Sequence, residues 1–205
     1  MRPSATVTLE SQALASLRYI RASMDAAASV SVPGAAGLAV GVVGLGAATL
    51  SGSALLHTYW LEVWLLAAAA GAVSGAFFVA QRAADRRPFT LFGAPVRKVF
   101  WCLAPCLLAG AVLTAVLVHS GNLHAIAGTW LLLYGCALLY MSSVTSRAIA
   151  VLGGCFILLA LVAFLLPGSE QVRTAVLGLG FGELHVLYGV LEGRTSGSTP
   201  ALTGG

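Results

Sequence analysis

Charge is scarce in this sequence. Only 9% of the 205 residues are Asp, Glu, Lys or Arg, while 59% are hydrophobic, whereas a soluble domain carries about 25% charged residues. A surface with so few charges cannot be covered by water, so most of it must face lipid. Short strands of alternating apolar and polar residues are also missing, which excludes a membrane β-barrel. The composition therefore predicts an all-α membrane protein.

Features of secreted and nucleic-acid-binding proteins are missing as well. The first 30 residues lack a basic start followed by an apolar core, so we expect no cleaved signal peptide. The net charge of +4 does not indicate nucleic-acid binding, because the basic residues cluster at helix ends. A disulfide framework is not expected, because all four cysteines fall inside apolar runs: Cys102, Cys106, Cys136 and Cys155.

Long apolar runs are abundant instead. A run of about 20 apolar residues crosses the ~30 Å hydrocarbon core of a bilayer. The sequence predicts a six-helix transmembrane domain over residues 33–193, followed by a polar, disordered tail over 194–205. Its spans are predicted at about 34–56, 59–81, 98–118, 125–145, 147–166 and 172–191.

Residues 1–32 precede the first span and are predicted to contain an amphipathic helix. Thr8 can cap a helix over 9–26, in which Leu14, Leu17 and Ile20 fall on one stripe. Such a helix either lies along the membrane surface or packs on the cytoplasmic end of the bundle. The sequence does not distinguish the two.

Basic residues predict the orientation. With the N-terminus in the cytoplasm, ten of the eleven Lys and Arg residues are cytoplasmic and only Arg173 is outside. The positive-inside rule therefore predicts that both termini lie in the cytoplasm. Five of these residues surround the 82–98 loop and are expected to bind anionic lipid headgroups, at about 1 kcal/mol each: Arg82, Arg86, Arg87, Arg97 and Lys98.

Small residues recur at helical spacing in three spans. Such spacing lets membrane helices approach closely, so these positions are predicted to form internal seams. They are Gly37, Gly41, Gly44, Ala48 and Gly52 in the first span, Ala68, Gly71 and Gly75 in the second, and Gly178, Gly182, Gly189 and Gly193 in the sixth.

Glu183 and His185 are the two ionisable residues deep inside the sixth span. Positions two apart lie about 200° apart on a helix, so the pair cannot form a dyad within it. Helical spacing places His185 on the glycine seam, hydrogen-bonded to a neighbouring helix such as the first span. It places Glu183 on the face of Val176, Leu179, Leu187 and Val190. Both are candidates for ligand binding or proton transfer; a packed, neutral imidazole is the alternative for His185.

A second group of candidates lies at the predicted outer rim. His57, Glu62, His119 and His124 end or begin spans there, and imidazole with carboxylate is a zinc-ligand combination. No H-x-x-x-H or H-E-x-x-H spacing occurs, however, so no metal site is predicted. Haem ligation by His57 and His119 has no further support. The cofactor is left unassigned.

Several segments resemble one family. "YIRASM", "VPG", "GTWLLLYG", "GGCFILLA" and "GFGELH" are similar to a family of small, uncharacterised bacterial six-span integral membrane proteins. The resemblance covers residues 17 to 190 approximately, and Gly128–Gly135 is its most specific part. It implies six spans in a prokaryotic inner membrane and implies no activity. The sequence departs from the family at Glu183, where a glycine is usual.

The sequence leaves two functional hypotheses. In the first, the bundle binds or passes a small apolar or amphiphilic molecule, or a proton, along a path that includes Glu183 or His185. In the second, the protein is a non-catalytic structural or regulatory subunit of a larger membrane complex, or a homo-oligomer. An enzyme is the least favoured class, because no nucleophile with its base occurs. Few intramembrane residues are polar, which argues against a wide hydrophilic pathway.

Overall fold

The computed structural model describes residues 12, 14–20, 32–84, 94–166 and 168–197. Within these ranges there is no β-strand. Residues 14–20 are helical, with Leu14, Leu17 and Ile20 exposed. The remainder of the predicted amphipathic helix, most of the 82–97 loop and the tail from residue 198 lie outside the described residues, so the position of that helix stays a prediction.

The described part of the chain contains six helices that are long and apolar enough to cross a membrane. The sixth is continuous, with a π-helical segment in its middle. The elements are α1 (Gly34–Ser51), a 3₁₀ turn (His57–Tyr59), α2 (Trp60–Ala84), α3 (Ala94–His119), α4 (Ala125–Ser142), α5 (Arg147–Leu165), α6 (Glu170–Leu177), the π segment (Gly178–Leu184) and α7 (His185–Gly197). The predicted all-α, six-span membrane bundle is confirmed at this level.

Several helix boundaries differ from the prediction, and two of the differences have a local reason in the structure. The first helix ends at Ser51, because the chain turns at Gly52 and continues as turns through residue 56. The sixth helix begins at Glu170, two residues earlier than predicted. Its N-cap is Ser169, whose hydroxyl oxygen accepts a hydrogen bond from the backbone N–H of Val172 at 3.3 Å.

The sixth helix lies beside α1 on one side and against α4 and α5 on the other. Helix α1 also packs along α2, and α4 packs along both α3 and α5. Connections 52–59, 120–124 and 166–169 join successive spans at one end of the bundle, which we call the histidine end. Sequence-adjacent helices are thus neighbours, and the sixth helix closes the bundle onto the first.

Glycines make the contact between α1 and the sixth helix close, as predicted. A methyl group added at Gly44 would lie 2.5 Å from the carbonyl carbon and oxygen of Phe181, and one at Gly41 would lie 2.8 Å from the backbone nitrogen of Val186. Gly71 of α2 has only an ordinary contact, 3.8 Å, with Val40. The α1 contact is therefore a backbone-to-backbone seam, whereas the α2 contact at Gly71 is not.

Trp60 and Trp64, two aromatic residues at the histidine end, lie inside the bundle rather than facing lipid. Trp60 is 6% exposed and Trp64 is 3% exposed. The indole N–H of Trp60 donates to Thr174 Oγ1 at 2.9 Å, and that of Trp64 donates to Ser51 Oγ at 3.2 Å. Each indole thus joins α2 to another helix, because its N–H finds a partner among the inward-facing hydroxyls.

Candidate functional site

The π segment sets the geometry of the candidate site. In a π-helix the hydrogen bonds run from residue i to i+5, so its turn is wider than an α turn, and such segments are frequent at functional sites. Gly178, Gly180 and Gly182 are buried within it. A methyl group at Gly180 would lie 2.6 Å from Leu131 Cδ2. The glycines therefore let the wide turn fit between α1 and α4.

His185 begins the helix after this segment and is buried, with 4% of its surface exposed. Its Nδ1 lies 3.2 Å from the carbonyl oxygen of Gly180, and its Nε2 lies 3.0 Å from the hydroxyl of Tyr134 in α4. A ring nitrogen that faces a carbonyl must donate, so Nδ1 carries the proton. In the neutral ring Nε2 then accepts a hydrogen bond from the Tyr134 hydroxyl. Both ring nitrogens are satisfied.

Three other rings enclose this imidazole. Its centroid lies 5.6 Å from that of Tyr134, 5.4 Å from that of Phe156 and 6.1 Å from that of Phe181. Phe156 is fully buried. The four side chains form an aromatic cluster between α4, α5 and the sixth helix. Because rings occupy the space around it, His185 is a packed interior residue rather than a group that faces a cavity.

His185 is buried and hydrogen-bonded to a neighbouring helix, as predicted, but that helix is α4 and not the suggested first span. The side chain was expected on the glycine seam facing α1, but it hydrogen-bonds to α4. Positions 180 and 185 would lie about 140° apart on a regular α-helix. The π turn brings Gly180 and His185 to the same side, where they hydrogen-bond. Sequence analysis also missed Tyr134, although a tyrosine inside an apolar span, in "GTWLLLYG", is itself a signal.

Glu183 lies on the other side of the sixth helix and is exposed. Leu179, Leu187 and Val190 share this outward face and are 43%, 54% and 38% exposed. Val176 was predicted on the same face but is buried, with 4% exposed, because it precedes the π segment and the wider turn changes the helical phase. Glu183 lies thirteen residues after Glu170 and eleven before Arg194 in a span that runs from Glu170 to Arg194. It is therefore near the middle of this candidate span.

A groove of about 770 Å³ contains Glu183. One side of the groove is formed by the end of α1 and the turn that follows it. The other side is formed by the first half of the sixth helix. On the sixth helix, the residues that line the groove begin at Glu170 and end at Glu183. The rise of a helix separates these two residues by roughly 20 Å. The lining residues are Leu45, Ala48, Gly52, Ser53, Ala54, His57, Glu170, Gln171, Thr174, Ala175, Gly178, Leu179 and Glu183.

The charges around this groove are all of one sign. Among the described residues no Lys or Arg lines it, whereas two carboxylates do. His57 lies at its rim, exposed, with Nδ1 3.0 Å from the carbonyl oxygen of Ala54. Within the described part of the chain, the Glu183 carboxyl makes no hydrogen bond or ion pair. The groove thus combines an apolar wall with an unpaired acid near its inner end.

Arg173 is the nearest cation in sequence, but it is directed away from the groove. Its guanidinium carbon lies 4.7 Å from the centroid of the Trp60 ring. Trp60 stacks in turn on Trp130, with centroids 6.4 Å apart. The Nε atom of Arg173 is buried without a hydrogen-bond partner. The cation is therefore held by the indole face and does not neutralise Glu183.

The remaining predicted residues are not brought together as a site. Glu62, His119 and His124 are exposed at the histidine end. No group of three or more His, Cys, Asp or Glu side chains that could hold a metal occurs among the described residues. Arg82, Arg97 and Lys98 are exposed at the opposite end. Arg86 and Arg87, from the same predicted headgroup site, lie outside the described residues.

Comparisons of the chain with protein-family models, with curated proteins and with solved structures found no match. The assignment of function therefore depends on the geometry of the groove and of the aromatic cluster.

Proposed function

We propose that this multi-pass membrane protein binds a small amphiphilic molecule in the groove between the first and sixth helices. The apolar part of the ligand lies against Leu45, Ala48 and Leu179, and its polar group meets the Glu183 carboxyl. This places the site on the side of the bundle, open to the lipid, rather than along an internal path. The groove's volume of about 770 Å³ lies within the ~300–1,000 Å³ range of small-molecule sites.

One observation supports this proposal above the others. Glu183 is an unpaired acid near the middle of a membrane span. An ionisable side chain at that depth is costly, and such residues usually pair or face a functional cavity. Since no described side chain of this protein pairs with Glu183, a bound molecule is the partner that would offset the cost.

The interior of the bundle gives less support to a transport path. His185, the other candidate, has both ring nitrogens hydrogen-bonded and is enclosed by Tyr134, Phe156 and Phe181. A polar solute would have to displace this packed cluster, and a proton path would end at the backbone carbonyl of Gly180, which cannot pass a proton on. We therefore assign His185 a structural role and Glu183 the ligand-binding role.

We also propose that the protein lies in a bacterial inner membrane with both termini in the cytoplasm, as a member of the six-span family that its sequence resembles. The distribution of Lys and Arg supports the orientation. In this orientation the histidine end faces the outside, and the groove opens from that side down to Glu183.

The test is to purify the protein in a mild detergent and identify the retained small molecules by mass spectrometry. We expect a stoichiometric amphiphile that is lost from Glu183→Leu and retained by Glu62→Leu, because Glu62 is an exposed acid outside the groove. Equal retention by both variants would contradict the proposal. A co-purified protein released only by Glu183→Leu would favour the alternative, in which the acid pairs with another subunit of a larger membrane complex.

A further inference from the structure

The groove's lining also indicates the charge of its ligand. Glu183 lies at one end and Glu170 at the other, with His57 at the rim. Among the residues described, no lining side chain carries a permanent positive charge. A neutral or anionic amphiphile would leave the Glu183 carboxyl without a counter-charge, whereas a cationic one would provide it.

The fold keeps the nearest basic side chain from taking that place. Arg173 lies between Gln171 and Thr174, which both line the groove, yet its guanidinium is over the Trp60 ring at 4.7 Å. Trp60 is itself fixed by its hydrogen bond to Thr174 and by its stacking on Trp130. The bundle thus directs the Arg173 cation onto the Trp60 ring, and the described lining of the groove keeps two acids and no Lys or Arg.

The dimensions match a molecule with one charge and a bulky or elongated apolar body. The roughly 20 Å between Glu170 and Glu183 along the helix exceeds what a small polar ion needs. Leu45, Ala48, Ala175 and Leu179 supply an apolar wall along this length. At membrane depth, attraction between opposite charges is much stronger than in water, because the surrounding dielectric constant is low.

We propose that the groove selects lipophilic cations, that is, amphiphiles whose positive group is an amine, a quaternary ammonium or a phosphonium. This inference rests on the proposed function and specifies its ligand class. The cationic group pairs with Glu183, and the apolar body lies between the end of the first helix and the sixth.

Two probes of equal shape and opposite charge provide the test. Tetraphenylphosphonium and tetraphenylborate differ in the sign of their charge and little in size. Binding of each to the purified full chain in a neutral detergent is measured by equilibrium dialysis, with detergent alone as the background. We expect the cation to bind at least about tenfold more tightly than the anion, because charge pairing at low dielectric is strong. Glu183→Gln is expected to abolish this preference.

Two matched variants separate the contributions of the acids. Glu170→Gln changes the acid at the other end of the groove. It is expected to weaken binding of the cation less than Glu183→Gln does, because Glu170 is near water. Glu62→Gln lies outside the groove and should bind the cation as the unaltered protein does. A preference for the cation that survives Glu183→Gln would overturn the inference.

Failure of this inference and failure of the proposed function are distinguishable. If both probes bind equally, or neither binds, while the retained amphiphile is still lost from Glu183→Leu, the site exists but is not selective for cations. If neither probe nor any retained molecule depends on Glu183, both proposals are wrong. Recovery of Glu183-dependent dimers in place of a small molecule would show that a second copy of the chain occupies the groove.

Discussion

Replacing Gly44 by alanine is expected to open the contact between the first and sixth helices. The added Cβ would lie 2.5 Å from the carbonyl carbon and oxygen of Phe181 and 2.8 Å from the nitrogen of Gly182. Carbon atoms in contact prefer about 3.5–4.0 Å, so the helices must separate by about 1 Å at this point. All the near atoms belong to the backbone, so no side-chain rotation can relieve the clash. Overpacking of this kind typically costs about 1–3 kcal/mol.

Gly46 provides the matched control for this substitution. It lies two residues further along the same helix, and an added Cβ there would have no atom within 4 Å. Gly46→Ala should therefore cause no clash, and since alanine favours a helix by about 0.5–1 kcal/mol over glycine, it should not lower the free energy of unfolding.

The assay is the melting temperature of each variant in one detergent, followed by tryptophan fluorescence. Trp60 and Trp64 are buried and should report the loss of packing. We expect Gly44→Ala to melt several degrees below the unaltered protein and Gly46→Ala to melt at the same or a slightly higher temperature. If the two variants melt at the same temperature, the close backbone contact inferred for this seam is wrong.

Four further expectations follow from the structure and the sequence. Gly153→Ala should destabilise the α4–α5 contact, because the added Cβ would lie 2.9 Å from the carbonyl oxygen of Gly135. The neighbouring Gly154→Ala should not, because a Cβ there has open space around it. The melting temperatures of the two variants test this difference. His185→Leu leaves the Tyr134 hydroxyl without its partner, which should lower the free energy of unfolding by about 1–3 kcal/mol. A double-mutant cycle with Tyr134→Phe should give a coupling energy of about 0.6–2 kcal/mol. Additive changes in the free energy of unfolding would contradict the hydrogen bond. Reporter fusions after residue 92 and after residue 121 should report the cytoplasm and the outside respectively; the reverse pattern would refute the orientation. Elemental analysis should find no stoichiometric zinc; zinc that is lost on His119→Ala would refute the expectation that the exposed histidines hold no metal.

The sequence predicted the features that depend on composition along one helix. Six apolar runs predicted six spans, and small residues at helical spacing predicted internal seams, one of which the structure has at Gly41 and Gly44. Both inferences need only the length and the period of a regular helix.

The features that depend on a neighbouring helix or on an irregular turn were not predicted. The partner of His185 could not be found from helical spacing, because the π turn changes the phase between Gly180 and His185. Trp60 and Trp64 lie near a helix end, where an indole is typical of an aromatic belt at the lipid interface, but both are buried. Their burial depends on hydroxyls from other helices, Thr174 and Ser51.

The exposure of Glu183 was compatible with the predicted face, but the groove beside it was not predicted. The groove exists because small residues meet at the histidine end. There Ala48 of the first helix and Gly52, in the turn after it, line the groove together with Ala175 and Gly178 of the sixth. A sequence shows that such residues are small, but it does not show whether two helices close on them or leave a space between them.

The π segment also determines how the sixth helix responds to the loss of a residue. Its hydrogen-bonded turn contains one residue more than an α turn. Removing one exposed residue from it, such as Leu179, would restore ordinary α-helical bonding and leave α6 and α7 in their present phase. The same removal in α5, at the exposed Leu158, would rotate everything that follows by about 100° and turn buried residues toward lipid. The chain can therefore shorten within Gly178–Leu184 and keep its fold, while losing the hydrogen bond between His185 and Gly180.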